Sequence, residues 1–199
     1  LTPDLGRIAT AAKGARRPRS PFRGKLDLFY LADFSFARSR RSDLHTLREV
    51  SLRETHEALR REWRSLQLAS YATVLIEQTT ETETPLPAVF ALLNGLLNHL
   101  AIRSPTPTPV LAFEVRLLGE LGLQPPPSPD RLTPGAARIL GHLASDSWRV
   151  LGQLRPSPAQ TDELGRFLHD FMSYHLGKVP AQRSTVLEAN PMQPKGISR

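Results

Sequence analysis

Two kinds of hydrophobic periodicity divide this chain, and the change from one to the other falls near residue 53. Before it, apolar and polar residues alternate over residues 25–36 and 44–52. Residues 7–13 form a third, shorter run of small and β-compatible side chains. A period of two is typical of β-strands. Residues 1–52 are therefore predicted to form a three-stranded antiparallel β unit.

Beyond that point the apolar residues recur every three to four positions, which is typical of amphipathic helices. The first such region spans residues 54–80, and prolines and glycines mark where further helices begin and end. These further predicted helices are 85–104, 110–121, 133–143, 146–154 and 158–176. The predicted fold class is α+β, with an all-α helical bundle over residues 53–187 and an irregular tail over residues 188–199.

The net charge of +7 lies entirely at the N-terminal end of the chain. Residues 1–41 contain ten of the 26 Lys and Arg side chains and only three acids, whereas the remaining 158 residues contain sixteen of each kind. Phosphate backbones bind basic surfaces through Coulomb attraction and the release of counterions. A nucleic-acid function is therefore the strongest prediction that the charge distribution supports.

Nine cations and one aromatic residue are the candidates for contact with nucleic acid. Six of the cations lie in and around a turn that contains prolines and glycines. The other three lie in a second turn, which would extend the patch if residues 26–37 fold back beside the first strand. Phe22 is the aromatic residue placed best to stack on an unpaired base, whereas aromatics of alternating strands usually pack. The alternative is a solvated, charged loop with no ligand. The ten candidates are Lys13, Arg16, Arg17, Arg19, Phe22, Arg23, Lys25, Arg38, Arg40 and Arg41.

Several kinds of chemistry find no support in the sequence. There are no cysteines, which excludes disulfides and Cys-ligated metal sites. No two of the six histidines have the i,i+4 spacing of a helical metal site, and no nucleotide-binding glycine motif or nucleophile elbow occurs. We therefore expect no cofactor, no metal and no enzymatic activity. No apolar run is long enough to span a bilayer, and we expect a cytoplasmic, nucleoid-associated protein.

Short motifs follow one another in a definite order over most of residues 1–187. They are Leu1-Thr2, Gly6-Arg7-Ile8, the KGARR stretch of residues 13–17, Ser20, Tyr71, Glu83-Thr84-Pro85, Phe113-Glu114 with the leucines after it, Gly122, His175-Leu176-Gly177 and Arg183-Ser184. Each motif alone is weak. Their joint order and spacing resemble the RecO family of bacterial recombination mediators.

This resemblance implies a DNA-binding, OB-like domain followed by a helical domain. It also implies annealing of complementary strands and loading of RecA in the RecFOR pathway. The partners it implies are single- and double-stranded DNA, RecR and single-strand-binding protein, and no membrane. Two departures accompany the resemblance. Family members usually begin earlier, so we expect the OB-like unit to be short at its N-terminus and therefore partial. Many members also carry four zinc-binding cysteines, which the corresponding residues 123–132 lack.

Three classes of function stay open at this stage. The preferred one is a recombination mediator that binds DNA without sequence specificity. The alternative is a helical protein-interaction scaffold of diverged or truncated RecO type, with weak or no DNA binding. The third is an enzyme whose site the sequence does not reveal. Salt-dependent DNA binding that requires the cations of residues 13–25 would separate the first class from the second.

Overall fold

The N-terminal sheet of the computed structural model, which describes residues 1–188, has three strands. They are β1 (Ala9–Ala11), β2 (Leu31–Ala37) and β3 (Leu44–Glu54), and β3 lies between the other two. β2 and β3 pair antiparallel, whereas β1 runs parallel to β3. The predicted antiparallel arrangement is therefore wrong for β1. The long connection after β1 carries the chain to the far edge of the sheet, so β1 pairs with the third strand and not with the second.

β2 begins later than the alternating sequence predicts. Leu31, its first residue, pairs with Glu54, the last residue of β3, so residues 25–30 have no strand beside them. They form turns instead, in which the Asp27 carboxylate accepts a hydrogen bond from the next backbone amide at 2.7 Å and Phe29 adopts a left-handed φ of 62°. The length of the neighbouring strand, rather than the alternation, decides where β2 starts.

The helical part begins with a break that the sequence pattern does not show. The predicted helix 54–80 is divided into a 3-10 helix (Glu57–Arg61) and α1 (Trp63–Thr79), because Glu62 between them is extended, with φ −126°. The later predicted helices are all present, and one short helix follows them. These are α2 (Pro87–Ile102), α3 (Pro107–Glu120), α4 (Pro134–Ser145), α5 (Trp148–Leu151), α6 (Pro158–Leu176) and α7 (Arg183–Leu187). The predicted tail lies outside the described residues from position 189 onward.

Local sequence explains where several of these helices begin and end. α2, α3, α4 and α6 each begin with a proline. The fixed φ of proline suits the first turn, and a backbone N–H at that position would have no partner within the helix, so its loss costs nothing. At the start of α6, Ser157 and Gln160 form a reciprocal capping box, and Gly177 ends the helix with a left-handed φ of 69°. These signals depend only on neighbouring residues, so the pattern predicts them well.

α3 is the centre of the helical core. It contacts every other α-helix of the described residues, and its side chains Val110, Leu111, Phe113 and Val115 are at most 1% exposed. Burying one such side chain contributes about 1.5–3 kcal/mol to the free energy of unfolding. The helical part is therefore built around one largely buried helix.

Specific polar contacts join the sheet to the helices. Nδ1 of His56 donates to the carbonyl oxygen of Phe29 at 2.7 Å, and its Nε2 lies 3.2 Å from Oδ1 of Asn98 on α2. In the loop between α1 and α2, the backbone amide of Glu83 donates to the carbonyl oxygen of Arg7 at 2.9 Å. The position of the sheet relative to α1 and α2 is thus set by hydrogen bonds on two sides.

Candidate nucleic-acid interface

Residues 12–25, here called the basic loop, form a series of linked turns. Backbone hydrogen bonds of 3.0–3.2 Å join residues three positions apart five times in succession, from Ala12 to Lys25. Gly14 and Gly24 supply left-handed φ values of 77° and 71°, which glycine adopts without steric cost. Because its backbone amides bond within the loop, this segment has a defined shape before any ligand binds.

Phe22 anchors the basic loop to the sheet. Its ring is 7% exposed and packs with Leu47 and Val50 of β3, beside Ala12 and Ala32. The prediction that Phe22 stacks on a base is therefore wrong, because its faces are already in contact with protein. The small apolar cluster that it completes holds the loop against one face of the sheet.

The cations of the basic loop all point to solvent. Lys13, Arg16, Arg17, Arg19, Arg23 and Lys25 are exposed. Within residues 1–188 none of the six forms an ion pair with a carboxylate. Arg23 donates one hydrogen bond to the carbonyl oxygen of Pro18 at 3.3 Å. Six positive charges on a short, ordered loop produce a strong local potential that attracts phosphates.

Residues 38–43, here called the basic turn, connect β2 and β3. Arg40 and Arg41 are exposed and have no ion-pair partner among the described residues. Arg38 is exposed too, but its Nη2 lies 3.2 Å from Oε2 of Glu83. Arg38 is therefore partly neutralised, and Arg40 and Arg41 are the more available cations of the turn.

The structure places the basic loop and the basic turn near each other, but not through the strand pairing that the sequence predicted. Residues 26–37 do not lie beside the first strand, because β3 separates β1 from β2. The start of β3 nevertheless pairs on both sides, since Ala9 of β1 lies opposite Leu44 and Ala37 of β2 lies opposite Thr46. The basic turn leads into this point, and the basic loop leaves β1 next to it. The predicted extension of the patch is therefore wrong in its strand pairing, and the strand order brings both segments to the start of β3.

Glu83 is a residue of this region that the charge pattern did not single out. Besides pairing with Arg38, its Oε1 lies 2.8 Å from Nε2 of His45, a side chain that is only 2% exposed. The ring of His45 stacks on Phe36 at 5.1 Å between centroids, and its Nδ1 accepts a hydrogen bond from the backbone amide of Ser39 at 3.3 Å. These contacts fix the basic turn to the loop before α2.

Aromatic side chains outside the basic loop mostly pack, as expected. Phe29 packs against the helical core, and the guanidinium of Arg60 lies over the ring of Tyr30 at 4.7 Å. Among the aromatics of residues 26–37, Phe34 is the exposed one, because it is 37% exposed on the β2–β3 hairpin, 6.1 Å from Phe36. Phe34 is therefore better placed than Phe22 to meet an unpaired base.

The motif residues of the helical part meet in a buried polar network. Nε and Nη2 of Arg183 on α7 donate to the two carboxylate oxygens of Glu114 on α3, each at 2.8 Å, and Nη1 donates to the carbonyl oxygen of Gly165 at 2.9 Å. The hydroxyl of Tyr71 on α1 donates to Glu114 at 2.5 Å. Burial, together with the negative charge of Glu114, raises the pKa of Tyr71 well above its usual range. This network joins α1, α3 and α7, so these motif residues serve the fold.

Arg64 holds the same short helix from the other side. Its guanidinium donates to the carbonyl oxygens of Thr185, Val186 and Glu188 at 2.5–2.6 Å. Carbonyl groups at the end of a helix lack partners within it, and a cation there satisfies them. Burial lowers the pKa of Arg64, and the charge of Glu188 opposes that shift. Two arginines, from α1 and from α7 itself, thus hold α7 in place.

Two further properties concern residues 1–188 as a whole. No three His, Asp or Glu side chains come close enough together there to hold a metal ion. No helix in this range is both long and apolar enough to cross a membrane.

Comparison with known proteins identifies the family. The family model described as Recombination protein O N terminal matches residues 1–56, which include the basic loop, the basic turn and all three strands. The model described as Recombination protein O C terminal matches residues 60–128. The chain belongs to the RecO family. The RecO match in the helical part includes Tyr71 and Glu114, two members of the buried network.

Individual RecO relatives show how far the similarity extends. The DNA repair protein RecO of Roseiflexus sp. (strain RS-1) is 27% identical over 214 residues, which cover 90% of this chain and 75% of the relative. That of Anaeromyxobacter sp. (strain K) is 33% identical over 125 residues, covering 63% of this chain and 49% of the relative. That of Anaeromyxobacter sp. (strain Fw109-5) is 27% identical over 227 residues, covering 96% and 89%. The alignment with the strain K protein thus spans about half of that relative.

Proposed function

We propose that this chain acts in DNA repair by recombination, binding single- and double-stranded DNA without sequence specificity and promoting the annealing of complementary strands. One observation carries the proposal. Eight exposed cations have no ion-pair partner among the described residues, and they lie on two segments beside the start of β3. RecO family membership, and the names of the relatives as DNA repair proteins, support a role in repair.

The chemistry of such a site is charge neutralisation. Two DNA strands repel each other through their phosphates, and cations bound along each backbone reduce that repulsion while releasing counterions. Base pairing then supplies the free energy of annealing, so the protein breaks and forms no covalent bond. The cations are on turns, with no helix arranged to enter a major groove, so they contact phosphates rather than base edges.

The proposed partner proteins are those that the family resemblance implies, and the geometry of the basic loop does not identify them. We propose that the chain works with RecR and single-strand-binding protein in loading RecA, as the resemblance of its motifs implies. In the cell, single-strand-binding protein covers the strands on which an annealing protein acts. This fits a role for the chain between single-strand-binding protein and RecR.

Fluorescence anisotropy of a labelled oligonucleotide at several salt concentrations tests the DNA site. Arg16→Glu/Arg17→Glu is expected to weaken binding and to lower the slope of log affinity against log salt by about 1.4 for single strands and about 1.8 for duplex. Arg138→Glu/Arg166→Glu, on α4 and α6, is the matched control, because both residues are exposed and free of ion pairs within residues 1–188. Equal losses in the two variants would mean that only net charge matters and would refute the site.

Sequence independence is tested by competition between unrelated oligonucleotides of equal length. A discrimination above about a hundredfold, or about 2.7 kcal/mol, would show base readout and contradict the proposal. If the parent protein binds no DNA at moderate salt yet binds RecR, the helical scaffold would be the better description of its function.

A further inference from the structure

A second group of arginines lies on the helical part, around Gly152, and is called here the Gly152 cluster. Arg103 follows the last residue of α2, Arg149 lies in α5, and Arg155 lies in the connection to α6. A methyl group built on Gly152 would lie 3.6 Å from Nε of Arg103. Nη1 of Arg155 donates to the carbonyl oxygen of Gly152 at 2.9 Å. The side chains of Arg103 and Arg155 thus meet at Gly152, and Arg149 lies three residues before it, with its backbone carbonyl oxygen 3.5 Å from the same methyl position.

The positive charge of the Gly152 cluster is not compensated nearby in the chain. Its three arginines are exposed, and none forms an ion pair within the described residues. Residues 84–113 and 147–161, which contain the cluster, have no Asp or Glu at all. Asp146, just before α5, has its carboxylate 2.9 Å from Nδ1 of His142. Three guanidinium groups without a carboxylate form a surface that an external anion would stabilise.

A buried histidine responds to this charge. His99 is 6% exposed and lies beneath the cluster, with its Cε1 3.2 Å from the position of a methyl group on Gly152. Burial and then the nearby Arg103 lower its pKa, against a backbone hydrogen bond with Trp148 that raises it. His99 therefore stays neutral near pH 7, and the charge of the cluster is that of its arginines.

We propose that the Gly152 cluster is a second phosphate-binding surface, which holds the backbone of one DNA strand while the basic loop holds the other. The inference rests on the proposed function, because annealing requires that one protein keep two strands close together. Guanidinium groups present planar pairs of donors that match phosphate oxygens. The basic loop and basic turn are on the sheet and the cluster is on the helices, so two backbones have separate attachment points.

An acidic protein is the competing ligand for the same surface. Ile102 is 78% exposed beside Arg103, and Val150 is 41% exposed beside Arg149. Apolar side chains next to arginines also suit a protein contact. Nucleic acid is favoured because the chain already displays unpaired cations on the basic loop. A second cationic surface gives an annealing protein a separate attachment point for the second strand.

A strand-bridging assay tests the proposal. One oligonucleotide is fixed to beads, the protein is bound to it at a one-to-one ratio, and retention of a second, labelled, non-complementary oligonucleotide is measured. Arg103→Gln/Arg149→Gln/Arg155→Gln is expected to lower retention of the second strand by at least about tenfold, or 1.4 kcal/mol. Binding of the first strand should change much less. Arg138→Gln/Arg166→Gln/Lys178→Gln removes the same charge from exposed positions outside the cluster and should leave retention unchanged.

The results distinguish failure of this inference from failure of the proposed function. If the cluster variant bridges strands like the parent, the second surface is refuted. If it bridges normally but loses binding to a polyglutamate peptide, the cluster is a protein contact and the proposal is overturned in favour of that partner. If instead Arg16→Glu/Arg17→Glu binds a single strand like the parent, the basic loop fails, whatever the cluster does. If Arg16→Glu/Arg17→Glu weakens DNA binding as expected, adding the three cluster substitutions to that variant should abolish the binding that remains.

Discussion

The buried pair of Glu114 and Arg183 allows a quantitative prediction about stability. Glu114→Gln keeps the size of the side chain and one carbonyl acceptor, but it removes the negative charge. Arg183 is 5% exposed and directs two N–H groups at the carboxylate, each at 2.8 Å. After the substitution its charge remains buried with only the carbonyl oxygen of Gly165 and one amide oxygen as acceptors. Tyr71 would compete for that same amide oxygen.

The expected loss is large compared with the stability of a typical domain. Removing one partner of a buried ion pair costs about 3–5 kcal/mol, and whole domains are stable by about 5–15 kcal/mol. For a chain of this size each kcal/mol lowers the melting temperature by about 2–4 °C, so a decrease of roughly 10 °C is expected. Urea unfolding followed by circular dichroism measures the free energy directly. Glu120→Gln, an exposed position on the same helix, is the control and should change stability by less than about 0.5 kcal/mol.

A double-mutant cycle separates the ion pair from other effects of the substitution. Glu114→Leu/Arg183→Leu removes both charges and leaves none buried without a partner. The double variant should therefore be less destabilised than the sum of the two single variants, by about 0.5–3 kcal/mol. Additive losses, or a Glu114→Gln variant within about 1 kcal/mol of the parent, would refute the view that Arg183 depends on Glu114.

Four further outcomes are expected. Phe22→Leu should keep DNA affinity while Phe22→Ala weakens it, because Phe22 anchors the loop; equal losses in anisotropy would instead indicate base stacking. Tyr71 has a pKa raised by burial and by Glu114, so its contribution to stability is complete below about pH 10 and is lost as pH rises above it; absorbance titration should show its ionisation only on unfolding. His99 has a pKa lowered by burial and Arg103, so its contribution is complete above about pH 6.5 and is lost as pH falls; an NMR titration showing an ordinary pKa would contradict this. Gly95→Ala should destabilise the protein by about 1–3 kcal/mol in urea unfolding, because a methyl group there would collide with the indole of Trp148.

Elements that depend on neighbouring residues were predictable from the sequence, and those that depend on distant partners were not. The helices from α2 to α6 follow from their apolar periodicity and from prolines and glycines at their ends. The parallel pairing of β1 could not be predicted, because a strand of three residues carries no information about its partner. The late start of β2 is similar, since it depends on where β3 ends.

The candidate site divides in the same way. That the cations of residues 13–25 are exposed could be predicted from their charge, because burying an unpaired charge is costly. That Glu83 partly neutralises the charge of Arg38 could not be predicted, because the two residues are far apart in sequence. Their contact depends on how the hairpin packs against the loop before α2. The pairing of Glu114 with Arg183 was equally invisible, although both residues belong to recognisable motifs. The boundary near residue 53 between the two predicted domains stays a prediction.

The burial of Phe22 changes how the basic loop is expected to work. A flexible loop would lose conformational entropy on binding each phosphate, and that loss reduces affinity. The successive turns and the ring packed on Leu47 and Val50 restrict the loop before DNA arrives. Phe22, which the sequence pattern placed against bases, instead holds the cations of the loop in place, and in the proposed DNA site this is how it would act on binding. Phe34, by contrast, is exposed and is not part of the cluster that holds the loop.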